Sequence, residues 1–258
     1  MTMFGPARRI TILALALFGA CALLAQTGVQ LVTVKVEVVS PQSAKKPVTK
    51  PVATKDSADP SNIVIWLKPL NATAPAAAVA TAGHSMPQVA QSNKSFDPHV
   101  LVIEAGTPVQ FPNKDPFLHN VFSLFEGKRF DLGFYEAGSS KTVHFDRPGV
   151  SFLFCNIHPE MSGAVIVVDT PYFGTSDKAG RVSIPNVPDG RYELNVWYER
   201  SLPEDLRAAG RTVTISDSAR TLEPVRVVEN PNFTLEHKNK YGQDYIPPAN
   251  TTPAYNRP

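Results

Sequence analysis

Most of this chain alternates apolar and polar residues with a period of two. From Val29 to Val39 the run VQLVTVKVEVV sets Val34, Val36 and Val38 on one face and Lys35 and Glu37 on the other, the pattern of a half-buried strand. NIVIWLKPL (62–70) predicts a second strand. VLVIE and PVQF follow, with a turn at Gly106 between them. VSFLFC and GAVIVVD predict two more, separated by only a few residues. Further on, Tyr192, Leu194, Val196 and Tyr198 alternate along another strand, and TVTIS (212–216) and LEPVRVV (222–228) add to the set. Three stretches lack any such period. PQSAKKPVTKPVATKDSADP (41–60) is a solvated basic loop, 71–87 is an Ala-rich linker, and 229–258 is polar and Pro-rich, predicting a disordered or extended tail.

Composition agrees with an all-β chain. Its 258 residues include 24 prolines, with 43% hydrophobic and 19% charged residues, enough to bury one large core or two modest ones. Residues 1–25 change the picture further. Arg8 and Arg9 precede the apolar run Ile10–Leu24, which is short for a bilayer span and reads as an export signal. Cleavage near Ala20-Cys21-Ala22 or Ala25 leads, ahead of an uncleaved anchor and of lipidation. An exported, periplasmic location is expected, with membrane contact only if that segment stays attached. Without Arg8 and Arg9 the 25 basic residues fall to 23, matching the 23 acidic ones, so no nucleic-acid partner is indicated. Removing the signal also removes Cys21 and leaves Cys155 alone. A single free thiol in an oxidising compartment needs protection, and a metal provides it.

The chemistry gathers in FCNIHPEM (154–161). Cys155, His158 and Met161 fall at Cys-x2-His-x2-Met spacing in a loop between two predicted strands, and FPNKDPFLHN brings His119 and Asn120. A thiolate, two imidazoles and a thioether form the ligand set of a blue-copper site. Zinc accepts Cys and His, but Met is a poor zinc ligand. FPNKDPFLHN and SSKTVHFDRPGVSFLFCNIHPEM resemble the cupredoxins, the small copper proteins that include plastocyanin, pseudoazurin and amicyanin. The two-residue spacings in the loop are most similar to amicyanin. FEGKRFDLGFYEAGSS looks like the bacterial methylamine-utilisation or plastocyanin-like type.

The resemblance spans roughly a third of the chain. It implies a Greek-key β-sandwich over 88–170 and one mononuclear type 1 copper held by His119, Cys155, His158 and Met161. It also implies that Asn113 and Asn120 brace the ligand loops, Asn120 through its backbone N–H to the thiolate and Asn113 by pinning the two loops together.

The flanks resemble something else. SDKAGRVSIPNVPDGRYELNVWYER is similar to carboxypeptidase-regulatory or transthyretin-like β-sandwiches. Residues 171–228 alone hold too few strands for a sandwich, and 26–70 would complete it. The expected fold class is therefore a cupredoxin sandwich inserted into a second, Ig/transthyretin-like one. His84 and Met86 in the linker, His99, His144 and His237 read as surface residues.

Three functions fit these features. The leading one is single-electron transfer between redox partner proteins, without enzymatic activity. A copper carrier or storage protein uses the same ligands without a redox partner. A β-sandwich binding module makes the copper site incidental. The chain has no His-x-His pairs, which argues against a multicopper oxidase, and one mature Cys excludes a binuclear copper centre.

Overall fold

A computed structural model describes residues 31–41, 59–70, 85–124, 127–234 and 237–245. The expected signal (1–25), most of the basic loop and of the linker, His84, and the last part of the tail lie outside these residues. Among the described residues no helix is long and apolar enough to cross a membrane.

The chain is nearly all β. Two strands, β1 (Leu31–Val39) and β2 (Val64–Pro69), precede the central unit. That unit contains β3 (Ala90–Ser92), β4 (Ser95–Asp97), β5 (Val100–Glu104), β6 (Thr107–Pro112), β7 (His119–Ser123), β8 (Phe130–Tyr135), β9 (Ser140–Phe145), β10 (Gly149–Phe154) and β11 (Ser162–Val168). After it come β12 (Phe173–Thr175), β13 (Arg181–Pro185), β14 (Gly190–Trp197), the short helix α1 (Pro203–Ala209), β15 (Arg211–Ile215) and β16 (Thr221–Val228).

Within the central unit one sheet runs β5-β11-β10-β7-β8 and faces the β6-β9 pair. The hairpin β3-β4 joins the latter through a bridge from Gln91 to Asn113. The enclosed core contains Val109, Phe111, Val121, Phe145, Leu153 and Val165, and Cys155 and Met161 sit in it too.

The flanking strands make a second sandwich. Its sheets run β13-β1-β16 and β12-β2-β14-β15. β1 pairs antiparallel with β13 and parallel with β16, so this N-terminal strand is the middle of a sheet whose other members are C-terminal. β2 pairs with both β12 and β14. Val34, Val36, Ile65, Leu67, Leu194 and Val225 fill the core between the sheets. Gly180 turns the chain against β1 with φ +71°; a Cβ there would stand 2.5 Å from the Val36 carbonyl oxygen, so glycine is needed on both counts.

The two sandwiches share a third apolar layer. β11 is buried along its whole length, which explains its unbroken apolar run GAVIVV. Val165 and Val167 face the central core, whereas Ala164, Ile166 and Val168 pack against Val64 and Trp197 of the split sandwich. The points where the central unit leaves and rejoins the split sandwich are tied together. Thr170 Oγ1 donates to the Leu67 carbonyl at 2.9 Å, and Lys68 pairs with Asp169 at 2.7 Å. His99, expected as a plain surface residue, lies between the sandwiches at the other end of β11: its ring bridges the Ser162 carbonyl (3.1 Å) and the Glu199 carboxylate (2.8 Å).

The tail also departs from expectation. Residues 237–245 have no regular structure, yet they fold back over the central unit through the side chains described below. The tail's rings find partners that a polar average conceals: His237 packs on Phe154, Tyr245 meets His237 edge-on, and Phe233 lies under the Arg200 guanidinium.

Candidate metal centre

The hairpin β10–β11 closes with Phe154 opposite Ser162, leaving Cys155 to Met161 as its loop. That loop is held from within. The Cys155 N–H donates to the Met161 carbonyl at 3.2 Å, and the Met161 N–H donates to the His158 carbonyl at 3.0 Å. Gly163 follows where the backbone passes close to His99; a Cβ would meet the His99 carbonyl oxygen at 2.8 Å.

His119 opens β7, and the single β7–β10 pair, Phe154 with Phe122, brings it beside the loop. The Cys155 sulfur then lies 3.8 Å from His119 Nδ1 and 3.5 Å from His158 Nδ1. The sulfur and one nitrogen of each histidine all lie within 4.8 Å of one another. Cys155, His119 and Met161 are fully buried, and only the His158 edge reaches the surface, at 6% exposure.

Three backbone N–H groups, from Asn120, Ile157 and His158, point at the sulfur. They would favour a thiolate, but burial outweighs them and holds the metal-free thiol above its ordinary pKa. A cation in the same place would supply the missing stabilisation. His158 is pushed below the usual histidine value, first by burial and then by the nearby His119 and Lys94, so its ring is available as a neutral donor.

Asn120, to which the resemblance assigned a backbone contact with the thiolate, has its N–H on the sulfur. Its side chain donates to Asp131 at 2.7 Å and to the Gly133 carbonyl at 3.0 Å, tying β7 to β8. Asn113 acts differently from what the resemblance implies. It donates to the carbonyls of Phe117 (2.8 Å) and Tyr135 (3.3 Å) and accepts the Asp115 N–H at 3.1 Å. It shapes the His119 loop and fastens it to β8, rather than pinning that loop to the Cys155 loop.

Two features were missed in the sequence. Asp115 lies against His119, with Oδ2 2.7 Å from Nε2. Burial would raise the Asp115 pKa, but the N–H groups of Lys94, His119 and Asn93 more than offset it and hold the carboxyl below its ordinary range. The other feature is the tail, a strap over the ligand loop. Tyr245 donates its hydroxyl to the Cys155 carbonyl at 2.6 Å. The Lys240 N–H donates to Asn156 Oδ1 at 2.9 Å, and its ammonium pairs with Asp131 at 2.8 Å. His237, expected to be solvated, stacks on Phe154 with ring centroids 4.2 Å apart. No spacing rule predicts such a strap; its only trace was aromatic residues in a polar tail. His144 is exposed, as is Met86.

No protein family and no curated protein matches this sequence. Among solved structures, a purple cupredoxin from Nitrosopumilus maritimus is similar at 28% identity, covering 32% of this chain and 99% of its own, with a TM-score of 0.30. A reduced amicyanin variant is 21% identical, with 34% and 90% covered and a TM-score of 0.30. A copper-containing nitrite reductase from Thermus scotoductus is 26% identical, with 50% and 27% covered and a TM-score of 0.31, so this chain spans about a quarter of that enzyme. These likenesses reach part of the chain only, and neither its activity nor its overall architecture is carried over from them.

Proposed function

We propose that this chain is an exported blue copper protein that passes single electrons between partner proteins. The observation that carries the reading is the buried cluster of one thiol sulfur and two imidazole Nδ1 atoms, with Met161 enclosed in the same core. One soft sulfur, two imidazoles and a weak thioether suit copper in both of its biological oxidation states, which hard oxygen ligands would not. His119, Cys155 and His158 would hold the ion, with Met161 as the weak fourth donor. Copper bound there would supply a one-electron couple.

The chain's own residues do the rest. The N–H groups of Asn120, Ile157 and His158 stabilise negative charge on the sulfur without moving. Phe117, with its ring 5.2 Å from that of His119 and 5.7 Å from that of His158, covers the cluster and keeps water out. His119 is set by the β7 pairing and the other three by a loop closed through the Cys155–Met161 and Met161–His158 backbone hydrogen bonds, a frame that suits little rearrangement when charge changes. His158 is the edge nearest solvent. Leu118 and Ile157 beside the two histidines, and Phe134 on β8, are exposed apolar side chains. A surface of this kind suits brief docking of a partner protein.

Burial also favours a resident ion over a carried one, since release requires the loop to open. The deciding experiment is an anaerobic redox titration of the copper-loaded protein. A single reversible one-electron transition, with copper retained in both states, is expected. Copper released on reduction and passed to an acceptor chelator would favour the carrier and exclude electron transfer.

A further inference from the structure

His119 is held from behind by a carboxylate. Asp115 Oδ2 lies 2.7 Å from His119 Nε2, and both side chains are nearly or fully buried. An ionised carboxylate only accepts hydrogen bonds, so Nε2 carries the ring proton and Nδ1 presents its lone pair toward the Cys155 sulfur.

The carboxylate cannot swing away. The β3–β4 turn places Asn93 and Lys94 in the left-handed region, with φ of 54° and 57°. Their successive N–H groups converge on the carboxylate, at 2.7 Å to Oδ1 and 2.9 Å to Oδ2. Such an anion-binding nest is built from backbone alone. On the other side, the Asp115 N–H is held by Asn113 Oδ1. The turn, Asp115 and His119 thus form one relay from a distant hairpin into the ligand cluster.

We propose that Asp115 is a positioning residue that locks His119 as an Nδ1 donor and, by making its imidazole a stronger donor, biases the site toward the oxidised ion. The proposal rests on the copper reading above. A carboxylate hydrogen-bonded to a ligating imidazole raises that ligand's basicity. A stronger nitrogen donor stabilises the more highly charged copper(II) more than copper(I). Asp115 therefore lowers the reduction potential, whereas the weak donor Met161 leaves it high.

Two measurements test this. In the metal-free wild-type protein, nitrogen-15 NMR of the histidine rings should show His119 as the Nε2–H tautomer, with that proton strongly deshielded. An Nδ1–H tautomer overturns the proposal, and this measurement needs no variant. In copper-loaded full-length protein, Asp115→Asn should weaken copper(II) binding about tenfold and leave copper(I) binding nearly unchanged. A tenfold change in that ratio is an upward shift of about 59 mV for one electron. Asp115→Glu, which keeps a carboxylate, should return part of the shift. An Asp115→Asn protein that melts at lower temperature with an unchanged potential would make Asp115 a loop brace only and overturn the proposal. If wild-type protein shows no thiolate-to-copper band, the copper reading itself fails, and the tautomer result still decides whether Asp115 orients His119.

Discussion

The two sandwiches use the chain in opposite ways. The central one is a single stretch, Ala90–Val168, and it encloses the cluster of Cys155, His119 and His158. The flanking one is split, with β1 and β2 drawn from one side of the insertion and β12 to β16 from the other. Both bury cores of mixed aliphatic and aromatic side chains. The difference lies in the ends of their hairpins. In the central unit, β7 and β10 converge on a loop that carries polar, metal-seeking groups into the interior. In the split unit, Val182, Ile184, Leu194 and Val196 face a core of aliphatic side chains and the rings of Tyr172, Tyr192 and Tyr198. The split unit therefore serves as a frame: it clamps the two ends of the insertion at Leu67 and Thr170 and covers one face of β11.

The seam between them gives the largest expected effect. Trp197 is almost fully buried in the layer shared by Val100, Ile166 and Val64. Trp197→Ala should cost about 3–5 kcal/mol and split thermal unfolding into two transitions, of which only the metal-bearing one responds to copper. Calorimetry with and without copper would check this. One cooperative transition in the variant would mean that the sandwiches are coupled elsewhere.

A smaller effect lies in a histidine–carboxylate pair that contrasts with the one at the ligand cluster. His99 and Glu199 meet at 2.8 Å across the seam, but the His99 side chain keeps about a third of its exposure. The Glu199 hydrogen bond is the main reason that its pKa is raised, against the opposing effect of burial. A raised histidine pKa stabilises the fold fully below the unfolded value, near 6.5, and that stabilisation is lost as pH climbs through the folded value. Wild-type stability should therefore fall relative to His99→Gln as pH rises above about 6.5, by roughly 1 kcal/mol or less given the solvent exposure. Parallel melting curves across that range would remove His99 from the seam.

The strap offers the finest test. Tyr245→Phe removes the hydroxyl's hydrogen bonds to the Cys155 carbonyl at 2.6 Å and to His237 Nδ1 at 3.3 Å, and keeps the ring. It should cost about 1 kcal/mol and shift the visible band of the copper protein slightly, leaving the split sandwich unaltered. An identical spectrum and melting temperature would show that the strap does not hold the ligand loop.

Much of this was legible before the structure. Alternation marked β1, β2, β10 and β14, because half-buried strands show their faces in sequence. The unbroken run of β11 looked like any buried strand; that it served two cores could not be read, since both faces are apolar in either case. The grouping of Cys155, His158 and His119 was legible because a Cys and a His at loop spacing, with a Met beyond, have few other uses and a second His stands in a Pro-rich loop upstream. Asp115 was not, since an aspartate in a Pro-rich loop looks the same whether it caps a turn or backs a histidine. His99 and His237 were misplaced for a related reason: their partners, Glu199 and Phe154, are 100 and 83 residues away. Local composition is silent on contacts of that range.

The central claim is that Cys155, His119 and His158 hold one copper ion through a thiolate. Its most direct test is the visible absorption spectrum of the oxidised, copper-loaded full-length protein beside that of Cys155→Ser. The wild type should show an intense thiolate-to-copper charge-transfer band at one copper per chain, and the variant should show none while remaining folded. A colourless wild-type protein that binds zinc more tightly than copper, or a coloured Cys155→Ser protein, would contradict the account.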